Sequence, residues 1–325
     1  MRVEPDAEWA VRDEERLDGM VAGCLTAAGC AESSWRRQDL RYPGLHATAH
    51  RLQRARGNTS GDGERERNTQ LVDGVAERAR SSAERARATA ADTGWAVDLA
   101  PPTEEHLTAS VRRALRQVPP RTGPAAAGPA AEVGDWNTGL RTAFAACHRT
   151  LERAWPQMLA ELGVTLRQIA LLDGDGIDGF TDFTVHGTAF VHHRRLTDDP
   201  GSGLAGPVRL AEALVHEGTH NRCNAAAAGT PFLRPSDPDV LLPTPLRADP
   251  RPLTGLFQQV VVLARLVLLY RNLPQEPAVR ARQAVLLDQG RDGASSLRRH
   301  ADALTPAGGE LLRQAEAVFT DGPAR

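Results

Sequence analysis

Apolar positions along the chain define three regimes. Up to about residue 50 they recur at near-helical spacing, through Trp9, Val11, Leu17, Met20, Val21 and Leu25, and predict a weak amphipathic helix. From Arg51 to Asp92 the stripe fades and Arg, Glu, Ala, Ser, Thr and Gly dominate. Within that stretch Asn58–Gly63 reads as a flexible loop, and Val72–Ala91 as either a solvated helix or a disordered arm. A short helical stripe returns between Trp95 and Val118, at Leu107, Val111, Leu115 and Val118. Pro119–Glu132 is then a Pro/Ala/Gly linker. It predicts a boundary near residue 133, separating a polar, helical, partly disordered region (1–132) from a denser domain (133–325).

Beyond the linker, Trp136–Leu162 carries apolar residues at helical spacing and Ile169–Leu172 reads as a strand. Asp173–Gly179 looks like a calcium loop, but the Glu that such a loop requires never arrives, so a tight acidic turn is expected. Phe180–Leu196 alternates with both faces partly apolar, as in a strand covered on each side. Pro207 opens a helix that Gly229 closes. Pro243, Pro245, Pro250 and Pro252 stiffen the approach to an apolar helix over Leu253–Leu273. Gln258, Gln259 and Arg265 near the middle of that helix favour a buried core element over a membrane span. The expected class is α+β and helix-dominated, with the Pro207 helix packed, zincin-like, beside a small sheet.

Composition narrows the partners. All 39 basic residues are arginine, yet the net charge is −2, so no global field draws the chain to nucleic acid or membrane. Nor do aromatics interleave the arginines of Val72–Ala91. Four scattered cysteines without a CxxC pair read as free thiols. The charged first sixteen residues contain no apolar segment of a signal peptide, which completes the expectation of a cytoplasmic protein.

The candidate chemistry lies in the Pro207 helix, as His216-Glu217-Gly218-Thr219-His220. Residues four apart share a helix face, so both imidazoles can address one metal ion, with Glu217 placed to reach a metal-bound water. A catalytic metal needs a third ligand. Ala226 stands where the long zinc-protease signature has its third histidine, and Leu253–Tyr270 contains no carboxylate. Gln258 and the loop residues Asp237, Asp239 and Asp249 remain candidates. His186, His192 and His193 lie on or near the preceding strand, and one of them could line the site. His46 and His50 share ligand spacing but lack a partner carboxylate or thiol, and are expected to face solvent.

From about Asp135 to Leu273 the chain resembles the HExxH-motif domain found in gene clusters for ribosomally made, modified peptides. The resemblance rests on Trp155-Pro156, the Phe180–Val191 strand, the block Leu210–His220, and Asp249-Pro250-Arg251-Pro252-Leu253 with Gly255-Leu256 ahead of an apolar helix. Residues 1–130 take no part in it. The resemblance implies an iron(II), 2-oxoglutarate-dependent oxygenase hydroxylating a precursor peptide. It makes His216 and His220 iron ligands and Arg251 a carboxylate anchor, with Arg247 as a second candidate. Arginine suits this task because its guanidinium grips a carboxylate with two parallel hydrogen bonds. The chain departs from the pattern at Gln258 or Leu263, at one of which such domains place a further histidine. Two other readings stay open: a zinc peptidase with Glu217 as general base, and a non-catalytic peptide-binding module.

Overall fold

A computed structural model describes residues 1–55, 62–118, 130–235, 241–245 and 247–320, with the side chains of residues 62 and 247–249 left out of that description. Helices dominate and a small mixed sheet stands among them, the α+β class expected. The N-terminal part comprises α1 (Ala7–Ala27), α2 (Pro43–Ala55), α3 (Asp62–Thr93) and α4 (Glu105–Leu115), with strand β1 (Asp98–Leu99) between the last two. Strand β2 (Glu132–Gly134) leads to α5 (Thr138–Ala154) and α6 (Pro156–Thr165). These two helices replace the single one expected. Pro156 lacks an amide hydrogen and disfavours helical backbone at Trp155, which sits at φ −154°, ψ 70°.

The sheet runs β1, β3 (Gln168–Asp173), β5 (Thr188–His192), β4 (Gly179–Phe180). β1 and β5 lie parallel to β3, and β4 runs antiparallel at the far edge. β2 pairs with the second half of the β3 edge whose first half takes β1. Ile169, Leu171, Ala189 and Val191 enter the main core, while Ala170, Leu172 and Phe190 meet Leu107 and Val111 of α4 on the opposite face. The sheet is thus covered on both sides. The long strand expected over 180–196 is broken in two. Asp182 caps a short 3-10 turn at Phe183–Val185, and Gly187 takes φ +87°, which a side chain would strain.

Packing contacts cross the expected boundary at residue 133. Strands from both sides of it meet on β3, and α1 packs on α6 and on α7 (Gly206–Gly229). The joint is also polar. Arg222 of α7 reaches Asp13 of α1 at 2.6 Å, and His186 meets Glu14 at 3.0 Å. The stretch 62–93 takes the helical alternative. Its buried stripe is Val72, Val75, Ala76, Ala79, Ser82 and Thr89, spaced for a helix but built largely of small residues. Arg85 then ties α3 to β1 by a forked contact to Asp98 (2.8 Å to each oxygen) and a bond to Glu104 (2.7 Å).

A hairpin of β6 (Leu241–Thr244) and β7 (Arg247–Pro252) delivers the chain to α8 (Leu253–Asn272), followed by α9 (Pro277–Arg298) and α10 (Pro306–Thr320). α8 has the length and apolarity of a membrane span, but it is the central core helix, walled by α7, α9 and α10. Its one charge inside the core, Arg265, is fully buried and bonded to Glu161 at 2.5 Å and to the carbonyls of Arg2 and Val3. A cation in mid-helix is tolerated because carboxylate and carbonyl oxygens replace its water. The four cysteines are free thiols.

Candidate metal centre

α7 crosses the core between α5, α6, α8 and the sheet, and its sequence explains each side of it. Leu210, Leu214, Val215 and Ala225 are buried apolar contacts. Gly218 permits the close approach of α6, because a Cβ there would stand 2.2 Å from Leu162 Cδ2. Thr219 turns its hydroxyl back to the Val215 carbonyl at 2.6 Å. Asn221 fastens α7 to the sheet: its Oδ1 accepts the Gly187 amide at 2.8 Å and its Nδ2 donates to the Thr188 carbonyl at 3.1 Å.

His216 and His220 remain half-buried on the face left open. Their Nε2 atoms converge to 3.2 Å. Two nitrogens bound to one ion at about 2.0–2.1 Å stand about 3.0 Å apart at a right angle and about 3.4 Å apart at the tetrahedral angle. The pair therefore has the separation that a shared ion demands. Gln258 Oε1 accepts a hydrogen bond from His220 Nδ1 at 2.7 Å, and Gln258 Nε2 donates to Asn224 Oδ1 at 2.9 Å. With the proton held on Nδ1, Nε2 of His220 keeps its lone pair for a metal.

Gln258, the candidate for a third ligand, has its amide oxygen on Nδ1 of His220 in this structure. It stands behind His220, on the side of the ring away from the metal position, and fixes the tautomer. Leu263, the other place where a histidine was wanted, is fully buried in the core. Among the described residues no group of three or more His, Cys, Asp or Glu side chains is arranged to hold a metal. Asp237, Asp239 and the side chains of Asp249 and Arg247 lie outside the described residues. The donor set on view is two histidines. Among the described residues that is one protein ligand short of the three a catalytic metal needs.

The carboxylate of Glu217 is 6% exposed, and its Oε2 accepts the Thr181 hydroxyl at 2.6 Å. Thr181 directly follows β4, so the sheet edge orients this carboxylate beside the histidines. A cavity of about 690 Å³ opens over the site, lined by His216, Glu217, His220, Arg251 and Gln258, and by residues 176–184 and the end of α4. A second lobe of about 380 Å³ shares His216, Glu217, His220 and Arg251 and adds Arg195, Glu212 and Gln259. Gln259 Oε1 is buried there without a hydrogen-bond partner. Arg251 thus borders both lobes, as His216 and His220 do.

Fixed charges line the walls. Asp182 accepts from Ser110, Thr184 and Arg113. Burial works to raise its pKa, but these bonds outweigh it and hold the carboxyl below the usual range. Asp178 is treated alike: burial raises its pKa, and the charges and hydrogen bonds of Arg195 and Arg194 bring it down further. Both are anionic at neutral pH.

The other histidines are engaged elsewhere. His186 binds Glu14, His192 Nε2 meets the Gly174 carbonyl at 2.6 Å, and His193 pairs with Asp173 at 2.5 Å. None lines either lobe. His46, expected at the surface, is 3% exposed and lies against His186. The acidic turn 173–179 is used for ion pairs, as Asp178 with Arg194 and Arg195 shows. Thr181 and Asp178 reach the site from the sheet edge and its turn, and Asn224 and Gln259 from α7 and α8 themselves; no local motif marks any of them. The chain matches no protein-family model and no curated protein.

Proposed function

We propose that this protein is a cytoplasmic iron(II), 2-oxoglutarate-dependent oxygenase that hydroxylates a side chain of a ribosomally made precursor peptide. The observation that carries the reading is Arg251, which borders both lobes of the cavity beside the 3.2 Å His216–His220 pair. His216 and His220 would hold the iron. Iron with 2-oxoglutarate supplies oxidative chemistry, in which oxygen is consumed, one atom entering the substrate C–H bond and the other the succinate formed by decarboxylation.

The chain's own residues set the conditions. Gln258 holds the His220 proton on Nδ1. Arg251 would receive the distal carboxylate of the cosubstrate. Glu217, oriented by Thr181, accepts a hydrogen bond from a ligand or water on the open side. Anaerobic reconstitution with iron(II), followed by oxygen, 2-oxoglutarate and the peptide encoded beside the gene, should yield succinate and a peptide heavier by one oxygen. Arg251→Leu should raise the 2-oxoglutarate requirement at least tenfold.

The Thr181–Glu217 contact favours a second reading, a zinc peptidase. There Glu217 takes the proton of the attacking water. One equivalent of zinc, a cleaved peptide, and loss of cleavage in Glu217→Gln with zinc retained would select it. A chain that retains neither metal would instead be a peptide-binding module.

A further inference from the structure

A second cavity, of about 290 Å³, lies beside the site, walled entirely by the N-terminal part and the turn at Thr184. Three helices present one stripe each to it. α2 gives Ala47, His50, Arg51 and Arg54, α3 gives Leu71, Val75 and Arg78, and α4 gives Glu105, His106, Ala109 and Arg113. The spacings of three, four and seven place each set on one helix face. The result is a small apolar floor under a cationic rim.

Three of its arginines, Arg51, Arg54 and Arg78, are exposed and form no ion pair among the described residues. Arg113 differs, being bound to Asp182 and Thr184. Among the described residues Glu105 is the one carboxylate on the wall. Burial first, then neighbouring positive charge, lowers the pKa of His50, so the rim's charge at neutral pH comes from arginine. Arg113 and Thr184 also line the large cavity over His216 and His220, so the two hollows adjoin. At their junction His50 meets the exposed ring of Phe183 edge-on, with centroids 5.4 Å apart.

We propose that the cavity between α2, α3 and α4 docks an acidic segment of the peptide substrate that carries an aliphatic residue, and so leads a neighbouring residue into the His216–His220 cavity. Unpaired arginines reward carboxylates with charge-assisted hydrogen bonds, and the Leu71–Val75–Ala109 floor accepts an aliphatic side chain. Among the described residues no Phe, Tyr or Trp lines the hollow to stack on bases, which favours peptide over nucleic acid. The inference rests on the peptide-modifying reading of the metal site, but docking needs neither iron nor 2-oxoglutarate.

The test is fluorescence anisotropy with the full chain, metal-free, and a labelled ten-residue peptide of alternating Glu and Leu, against a Lys/Leu peptide. The Glu/Leu peptide should bind, weaken with salt, and lose about tenfold in affinity in Arg51→Glu/Arg54→Glu. Arg149→Glu, an exposed charge reversal on α5, should leave it unchanged. The gentler pair Arg51→Gln/Arg54→Gln should show a smaller loss, with a thermal melt matching the parent. Equal affinity for both peptides, no binding, or affinity untouched by the Arg51/Arg54 variants would overturn docking at this cavity. So would tighter binding of a single-stranded RNA that the same variants abolish. Peptide binding without succinate formation would count against the oxygenase reading alone.

Discussion

The amide oxygen of Gln258 stands 2.7 Å from Nδ1 of His220, which makes a residue of the apolar core helix the arbiter of the histidine's tautomer. Replacing it with Leu removes the acceptor and frees the imidazole to place its proton on Nε2. Outer partners of metal-bound histidines are worth about 10- to 100-fold in affinity. Gln258→Leu is expected to weaken iron(II) or zinc binding by that factor, while Gln258→Glu retains an acceptor and metal binding. A competition titration with a chromogenic chelator reads both.

The histidines themselves are half-buried, so removing either should cost metal and little else. His216→Ala and His220→Ala are each expected to lower bound metal below about a tenth of an equivalent. Elemental analysis after reconstitution, beside an unchanged circular dichroism spectrum, checks this.

Gly218 is fixed by packing, not chemistry. A methyl group there meets Leu162 at 2.2 Å, and both helices are wedged in the core. Gly218→Ala should destabilise the protein by about 1–3 kcal/mol, the usual range for overpacking. Denaturant titration measures the loss. Combined with Leu162→Ala, which removes the clashing methyl, the two losses should sum to less than their separate values.

The fully buried Arg265 depends on Glu161, which is itself 1% exposed. Glu161→Leu strands a cation against two N-terminal carbonyls and leaves the Asp6 amide, 2.8 Å from Glu161 Oε2, without its acceptor. Breaking such a pair costs about 3–5 kcal/mol. Hydrogen exchange should show the start of α1 opening first, since its entry is bonded to Glu161.

Glu212 supplies the pH dependence. Burial raises its pKa, but Arg282 and the Tyr270 hydroxyl prevail and the carboxyl titrates below the ordinary Glu range. A depressed folded pKa means stability that is complete above the unfolded value of about 4.3 and is lost as pH falls through the folded one. Glu212→Gln should therefore flatten the acid side of the melting profile below about pH 4.3 while lowering stability at neutral pH.

Much of the frame could be read from pattern. Pro207 and Gly229 mark α7, and the apolar run after Pro252 marks α8, because both signals are local. α3 was harder to assign, since beyond Val72 and Val75 its buried stripe is Ala, Ser and Thr, whose contribution to an apolar pattern is weak. The break inside 180–196 depends on one positive φ at Gly187, set by the bond to Asn221 across the helix. At the site, His216, Glu217 and His220 were visible because a helix spaces them. Thr181 and Asn224 were not, for they take their roles only once β4 and α8 are packed on α7. Gln258 was visible, but the direction of its amide, toward Nδ1, depends on how α7 and α8 cross.

The shared edge of β3 also bears on how the polypeptide can be divided. Cutting at the proline-rich stretch would look harmless from composition. A piece beginning at residue 133 would lose β1 from Gln168–Ile169 and part of β2, exposing a hydrogen-bonding edge that invites aggregation. It would also lose Asp13 from Arg222 and Glu14 from His186. The motif-bearing half is therefore expected to be insoluble alone and to recover when residues 1–118 are supplied in trans.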